Sequence, residues 1–217
     1  MEKIIRLSES TYDAAICRCL QILESGGVVA LPTDTLYGVV TTISNADKLY
    51  KLKSRSRLKP LGLFVSTVEE VQKWCRPIIE SSQLTTLLPG PVTLVCERSA
   101  SLPNTFNPDH GTVAIRIPAH EFVRSLLTRL DVPLAQTSAN ISNSQENPVC
   151  IEDFKTLWPK LDLIVDDGAI VSSSREVNKE GSTVVNLCAP GFYEIIRDGC
   201  ARMATEKKLK DLGLIKR

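Results

Sequence analysis

With 217 residues, 43% of them hydrophobic, the chain is long enough to bury one sizeable core. Its 26 Lys and Arg against 25 Asp and Glu leave a formal charge of +1, which argues against a polybasic nucleic-acid binder but leaves room for one local basic groove. Two histidines, His110 and His120, put a His-rich zinc site out of reach, and neither stands in a nucleophile-elbow context.

Taken in chain order, residues 10–23 read as a helix capped by Ser10, with Ala15, Ile16, Cys19, Leu20 and Leu23 on one face and Gly26-Gly27 closing it. The apolar run 28–31 is stopped by Pro32 and reads as a buried strand opening into a polar loop, Thr33-Asp-Thr-Leu-Tyr-Gly38. Further strands are expected at 61–65, 92–96, 113–117, 133–136, 163–166, 183–187 and 193–196. Helices are expected at 45–53, 68–75, 121–129, 151–157 and 204–212. The irregular alternation predicts an α/β chain built on a twisted mixed parallel and antiparallel sheet flanked by helices, in a single domain. Residues 171–181, rich in Ser, charge and Asn, read as a mobile loop, and 201–217 as a C-terminal helical tail, loosely docked.

Seven cysteines, at 17, 19, 75, 96, 150, 188 and 200, are odd in number, scattered and without a C-x-x-C pair. They read as buried small hydrophobes in a reducing compartment. No stretch approaches 18 apolar residues, and the first residues, Met-Glu-Lys-Ile-Ile-Arg, lack a signal-type apolar core, so no integral membrane segment and a cytoplasmic setting are expected. Removal of a presequence would make this a mitochondrial form.

Open α/β sheets place ligands beyond strand ends, and several polar segments fall there. Residues 53–59 carry four cations in seven positions, Lys53, Arg55, Arg57 and Lys59. They fit a solvated helix end, where cations favour the dipole, or an extended segment whose heads converge on one polyanion. Ser138 and Asn140 fit a cap for the following segment or hydrogen bonds to a ligand. Two cations followed far downstream by two small hydrogen-bonding groups are what a polyphosphate or adenylate needs from a protein without a glycine-rich P-loop.

In order along the chain, Pro32-Thr-Asp-Thr-Leu-Tyr-Gly38, Lys53-Ser-Arg55, Pro89-Gly-Pro-Val-Thr93, Val113-Ala-Ile-Arg-Ile-Pro118, Ser138-Ala-Asn140, Ser182-Thr-Val-Val185 and Ile196-Arg-Asp-Gly199 resemble the motifs of the YrdC family of threonylcarbamoyl-AMP synthases. The resemblance runs from about residue 15 to 197 and is most similar to the single-domain animal members, with residues 1–200 as the YrdC-like catalytic domain. It implies a nucleotidyltransferase that joins L-threonine, bicarbonate or CO2 and ATP into threonylcarbamoyl-adenylate and pyrophosphate. It implies Mg2+ carried with ATP, no protein-held metal, and a product destined for the downstream complex that modifies ANN-decoding tRNAs, with a possible direct tRNA contact.

By the same resemblance, Lys53 and Arg55 are the catalytic cations. Arg57, Thr112, Ser138, Asn140 and Arg197 join them around ATP, and Thr33, Arg116, Gln136 and Ser182 line the threonine pocket. Arg116, in an otherwise apolar strand, suits a bidentate pair with the substrate carboxylate; its bland alternative is a structural ion pair. The chain departs from the family pattern at Ser54 and Ser56, where the family's K-G-R-P has Gly and Pro, at Phe64, where several microbial members carry His, and at Gly181, where the usual residue is Glu. A nonenzymatic RNA-binding or ribosome-maturation factor, using the same cations on RNA phosphates, is the second class; the chain's 5% aromatic content and lack of an RNP-like motif weigh against it. A sugar-phosphate lyase would need clustered acidic and histidine ligands that the sequence lacks.

Overall fold

The computed structural model describes residues 3–140, 147–171 and 179–217. These form β1 (Ile4–Arg6), α1 (Tyr12–Glu24), β2 (Val29–Leu31), β3 (Gly38–Thr42), α2 (Asp47–Lys53), β4 (Gly62–Phe64), α3 (Val68–Trp74), β5 (Cys75–Arg76), α4 (Ser81–Leu87) and β6 (Val92–Arg98). They continue with β7 (Thr112–Arg116), α5 (Glu121–Leu130), β8 (Leu134–Ser138), a 3₁₀ stretch (Ile151–Lys160), β9 (Leu163–Asp166), β10 (Thr183–Asn186), β11 (Phe192–Arg197), α6 (Arg202–Asp211) and β12 (Ile215–Lys216).

The strands pair in the order β1-β9-β2-β3-β8-β4-β7-β6-β10-β11-β12, with β5 added to β6. Parallel pairs (β1 with β9, β2 with β9, β4 with β7, β6 with β10) alternate with antiparallel ones (β2 with β3, β3 with β8, β4 with β8, β6 with β7, β10 with β11). The expected mixed sheet is therefore present.

Because strand side chains alternate between faces, the sheet makes two cores. On one face Ala30, Val39, Leu63, Ile115, Leu94 and Val185 pack with residues of α2, α3 and α4. On the other, Val29, Leu31, Val40, Leu134 and Leu163 pack under α1 and α5, through Ile16, Cys19, Leu23, Phe122 and Leu126. That second cover stops at Phe64 and Leu134, which face each other across β4 and β8. The same face of β8, β4, β7, β6 and β10 continues without it and forms the floor of a cleft.

Several expectations need correction. Helix α1 starts behind Thr11, whose hydroxyl turns back to Arg6 O at 2.6 Å, so neither Ser10 nor any side chain caps the first turn. Strand β3 directly follows the polar loop, and its run Gly-Val-Val-Thr-Thr was hidden by it. Helix α4 is Ser/Thr-rich and a poor helix former, but Glu80 and Gln83 close a capping box at its start. Residues 151–160 are 3₁₀ rather than α, with Phe154 off helical geometry and Pro159 near the end. Of the seven cysteines, all free, Cys19, Cys75 and Cys96 are buried, but Cys17 is exposed and the others are half-buried.

The C-terminal tail is docked rather than loose. Leu209 and Leu214 enter the first core, Tyr193 donates its hydroxyl to Glu206 at 3.3 Å, and Lys208 Nζ donates to Thr86 O at 2.6 Å. Strand β12 then pairs parallel with β11. Of the expected 171–181 loop, 172–178 lie outside the described residues. No helix among the described residues is long and apolar enough to cross a membrane.

Candidate active site

Three small residues on the floor make room for the cleft. Gly38 pairs with Ser138, and Gly62 lies between Gln136 and Ala114. A Cβ on Gly62 would collide with the Gln136 amide, so the glycine is what lets Gln136 lie over β4. The cleft encloses about 430 Å³, within the range of small-molecule sites.

Of the residues expected from sequence, Thr33, Arg55, Arg116, Gln136, Ser138, Ser182 and Arg197 line this one cleft. Lys53 and Asn140 stand immediately behind Ser138. Lys53 is 2% exposed, and its Nζ donates to Ser138 O at 2.5 Å, Asn140 Oδ1 at 3.1 Å, Thr137 Oγ1 at 3.2 Å and Ser138 Oγ at 3.3 Å. Ser138 Oγ in turn donates to Asn140 Oδ1 at 2.6 Å. All four of its acceptors among the described residues are neutral. Burial, with the nearby Arg55 adding to it, pulls the Lys53 pKa down to about 7.

The cationic segment does not converge as a whole. Ser54, at φ 48°, takes the chain through the left-handed region as α2 ends, and the segment turns instead of extending. Arg55 then bonds Lys59 O at 2.8 Å and Pro60 O at 3.1 Å, which fixes its side chain at the cleft. Arg57 points elsewhere, pairing with Asp47 at 3.0 Å over the Tyr50 ring. Neither Arg57 nor Thr112, at the far end of β7, lines the cleft. Ser54 thus holds this turn in a conformation that glycine adopts more easily. Ser54→Gly is expected to stabilise the protein by about 1 kcal/mol, or roughly 2–4 °C in melting temperature, and a thermal melt of the two proteins checks it.

At the other end of the cleft, Arg197 Nη2 donates to Ser182 O at 2.8 Å and Ser182 Oγ at 3.1 Å, while the Thr93 and Ser182 hydroxyls share a 2.7 Å hydrogen bond. Burial lowers the Arg197 pKa, and the nearby positive Arg116 lowers it further. Arg116 is held by Asp34, Thr35 and Gly90, so its guanidinium is ion-paired within the protein as well as facing the cleft. The Thr33 hydroxyl is committed to its own turn: it donates to Leu36 O at 2.7 Å and accepts from Thr35 N at 3.1 Å and Leu36 N at 3.2 Å.

Asp34, Thr35, Thr93, Lys179, Glu180 and Asp198 were not singled out from sequence, yet Asp34 touches Arg116 and the other five line the cleft. The signal for Asp34, Thr35, Thr93 and Asp198 lay in the quoted motifs, which contain them. Lys179 and Glu180 are charged residues ahead of a motif, where nothing in sequence separates a rim from ordinary surface.

The sequence model of the Sua5, YciO and YrdC proteins, described as telomere recombination, matches residues 21–199. A Bos taurus protein named threonylcarbamoyl-AMP synthase is 44% identical over 196 residues, covering 89% of this chain and 71% of its own. A Homo sapiens protein of the same name is 46% identical over 186 residues, covering 84% and 66%. The crystal structure of P. abyssi Sua5 complexed with L-threonine superposes with a TM-score of 0.84 at 26% identity, covering 99% of this chain and 62% of that one. E. coli YciO superposes with a TM-score of 0.77 at 19% identity, covering 91% and 94%, which shows the fold alone. The chain thus spans about two thirds of the length of the mammalian and P. abyssi relatives. A family match across most of the residues, together with identities of 44% and 46% to mammalian relatives, establishes that the chain belongs to the Sua5/YciO/YrdC family.

Proposed function

We propose that this chain is an L-threonylcarbamoyladenylate synthase, a nucleotidyltransferase that converts L-threonine, bicarbonate or CO2 and ATP into threonylcarbamoyl-AMP and pyrophosphate. The observation that carries this is Lys53: a buried ammonium whose acceptors among the described residues are all neutral, beside Arg55. A buried cation without an anionic partner is costly unless a ligand supplies the anion. A triphosphate does so. The names of the mammalian relatives and the L-threonine bound by P. abyssi Sua5 support the same activity.

In this mechanism the threonine amine becomes a carbamate, one carbamate oxygen attacks the α-phosphorus, and pyrophosphate leaves opposite. The step needs negative charge neutralised and reactants aligned more than it needs an acid or base. Lys53 and Arg55 hold the phosphates, with Ser138, Asn140 and Arg197 completing the nucleotide subsite. Arg116 takes the threonine carboxylate, and Gln136 and Ser182 face the rest of the amino acid. A hydrogen bond to the threonine hydroxyl separates it from valine, because apolar fit discriminates near-isosteres poorly.

Magnesium enters with the incoming nucleotide, as a counter-ion of its phosphates. The adenylate is an activated acyl donor, to be consumed by the complex that modifies the adenosine next to the anticodon of ANN-decoding tRNAs. Pyrophosphate release from ATP by the purified protein, with threonine and bicarbonate omitted in turn, tests the assignment. Release that requires both supports it; release that ignores either, or none at all, refutes it.

A further inference from the structure

The amino-acid end of the cleft contains an ion pair that is only half satisfied. Arg116, buried in β7, gives Nη2 to Asp34 Oδ1 at 2.5 Å, Nη1 to Thr35 Oγ1 at 2.9 Å and Nε to Gly90 O at 3.1 Å. Three of the five guanidinium N–H groups are used in these bonds, and each terminal nitrogen has one more to give. Asp34 uses only one oxygen. Its Oδ2 is buried and has no hydrogen-bond partner among the described residues. A carboxylate oxygen withdrawn from water without a donor is rare in folded proteins, because it has lost its hydration and gained nothing. Its chain neighbours Thr33 and Thr35 and its partner Arg116 all line the cleft, so Asp34 stands directly beside the seat of a ligand held by the guanidinium.

An α-amino acid carries an ammonium and a carboxylate on one carbon. Asp34 and Arg116 present the opposite charges side by side, so the two pairs match head to tail, with both attractions strengthened by the partial exclusion of water. On the basis of the synthase assignment, we propose that Asp34 is a substrate-binding residue. Its Oδ2 receives the α-ammonium while Arg116 takes the carboxylate, and the subsite recognises a free amino-acid zwitterion. It follows that hydroxy acids without the amine are poor ligands even when their carboxylate and side chain fit.

The test is a binding cycle by titration calorimetry, with L-threonine and with (R)-3-hydroxybutanoate, the same molecule lacking its amine, on wild type and on Asp34→Asn. Wild type is expected to bind threonine roughly 10- to 100-fold more tightly than 3-hydroxybutanoate, as a hydrogen bond to a charged group would give. In Asp34→Asn that preference should collapse, through loss of threonine affinity beyond any loss shared with 3-hydroxybutanoate. Equal losses for both ligands would reduce Asp34 to a support for Arg116 and overturn the proposal while leaving the synthase assignment intact. The wild type alone decides it if Asp34→Asn does not fold: equal affinity for the two ligands overturns the proposal. A wild type that binds neither ligand overturns the synthase assignment along with it.

Discussion

Lys53→Ala is expected to lower threonine-dependent pyrophosphate release by roughly 10³-fold or more, the scale on which a positioned cation acts in phosphoryl transfer. Few side chains could substitute. The ammonium is buried at the end of α2 and pinned by Ser138, Thr137 and Asn140, so neither Arg57, which is paired with Asp47, nor a solvent cation reaches its place. Its acid–base behaviour separates a catalytic role from a structural one. Burial lowers the Lys53 pKa from 10.5 to about 7, so between those values the unfolded chain binds more protons than the folded one. Folding stability from this group therefore rises with pH across that window. Below about pH 7 the folded protein must carry the buried charge, and the penalty is fully present. The melting temperature of wild type relative to Lys53→Met should accordingly increase from pH 7 to pH 9. Bound triphosphate favours the charged form and pulls the pKa back up, so nucleotide binding at pH 8 should take up close to one proton. Calorimetry in buffers of different ionisation heat reads this directly; proton uptake that persists in Lys53→Met would assign it to another group.

Gly199→Ala should damage both stability and catalysis. A Cβ at this position would overlap the backbone of residues 181–183, at Gly181 O, Ser182 C and Thr183 N, and no side-chain rotation relieves a clash with backbone. The displaced strand start carries Ser182, which Arg197 and Thr93 hold at the end of the cleft. Overpacking on this scale costs about 1–3 kcal/mol, or roughly 2–12 °C in melting temperature for a chain of this length. Activity should fall further than stability explains, because Arg197 and Ser182 move together. Gly111→Ala, where an added Cβ meets nothing within 4 Å, is the control and should melt with wild type. Equal melting temperatures for the two variants would show that residues 181–183 yield without cost.

Much of the site was legible because polar groups stood where apolar strands end. Arg116 was visible as a guanidinium in an apolar strand, and Lys53, Ser138 and Asn140 were visible as a separated set that the fold brings into mutual hydrogen bonding. The partner of Arg116 was not legible, since Asp34 is 82 residues away and only the crossing of two strand ends joins them. The fate of Arg57 was equally hidden. It depends on the sign of one backbone angle at Ser54, and a serine gives no cue for a left-handed turn. Alternating strands and helices predicted the mixed sheet, but not that one of its faces is covered only in part. That depends on where α1 and α5 end over the sheet, a matter of strand order and not of local pattern.

The floor of the cleft joins strands from widely separated stretches of chain, β4 beside β8 and β6 beside β10, with β11 supplying Arg197 near the end. Pairings of this kind close long loops, and that entropy must be met before the contacts repay it. No early fragment of the nascent chain can hold the substrates, because the binding surface exists only after the last third of the sequence has joined the sheet. Capacity to bind is thus a late event in folding, and ligands that bind only the finished fold slow its loss and not its formation. Refolding rates should therefore be indifferent to ATP and threonine, while unfolding in their presence becomes slower.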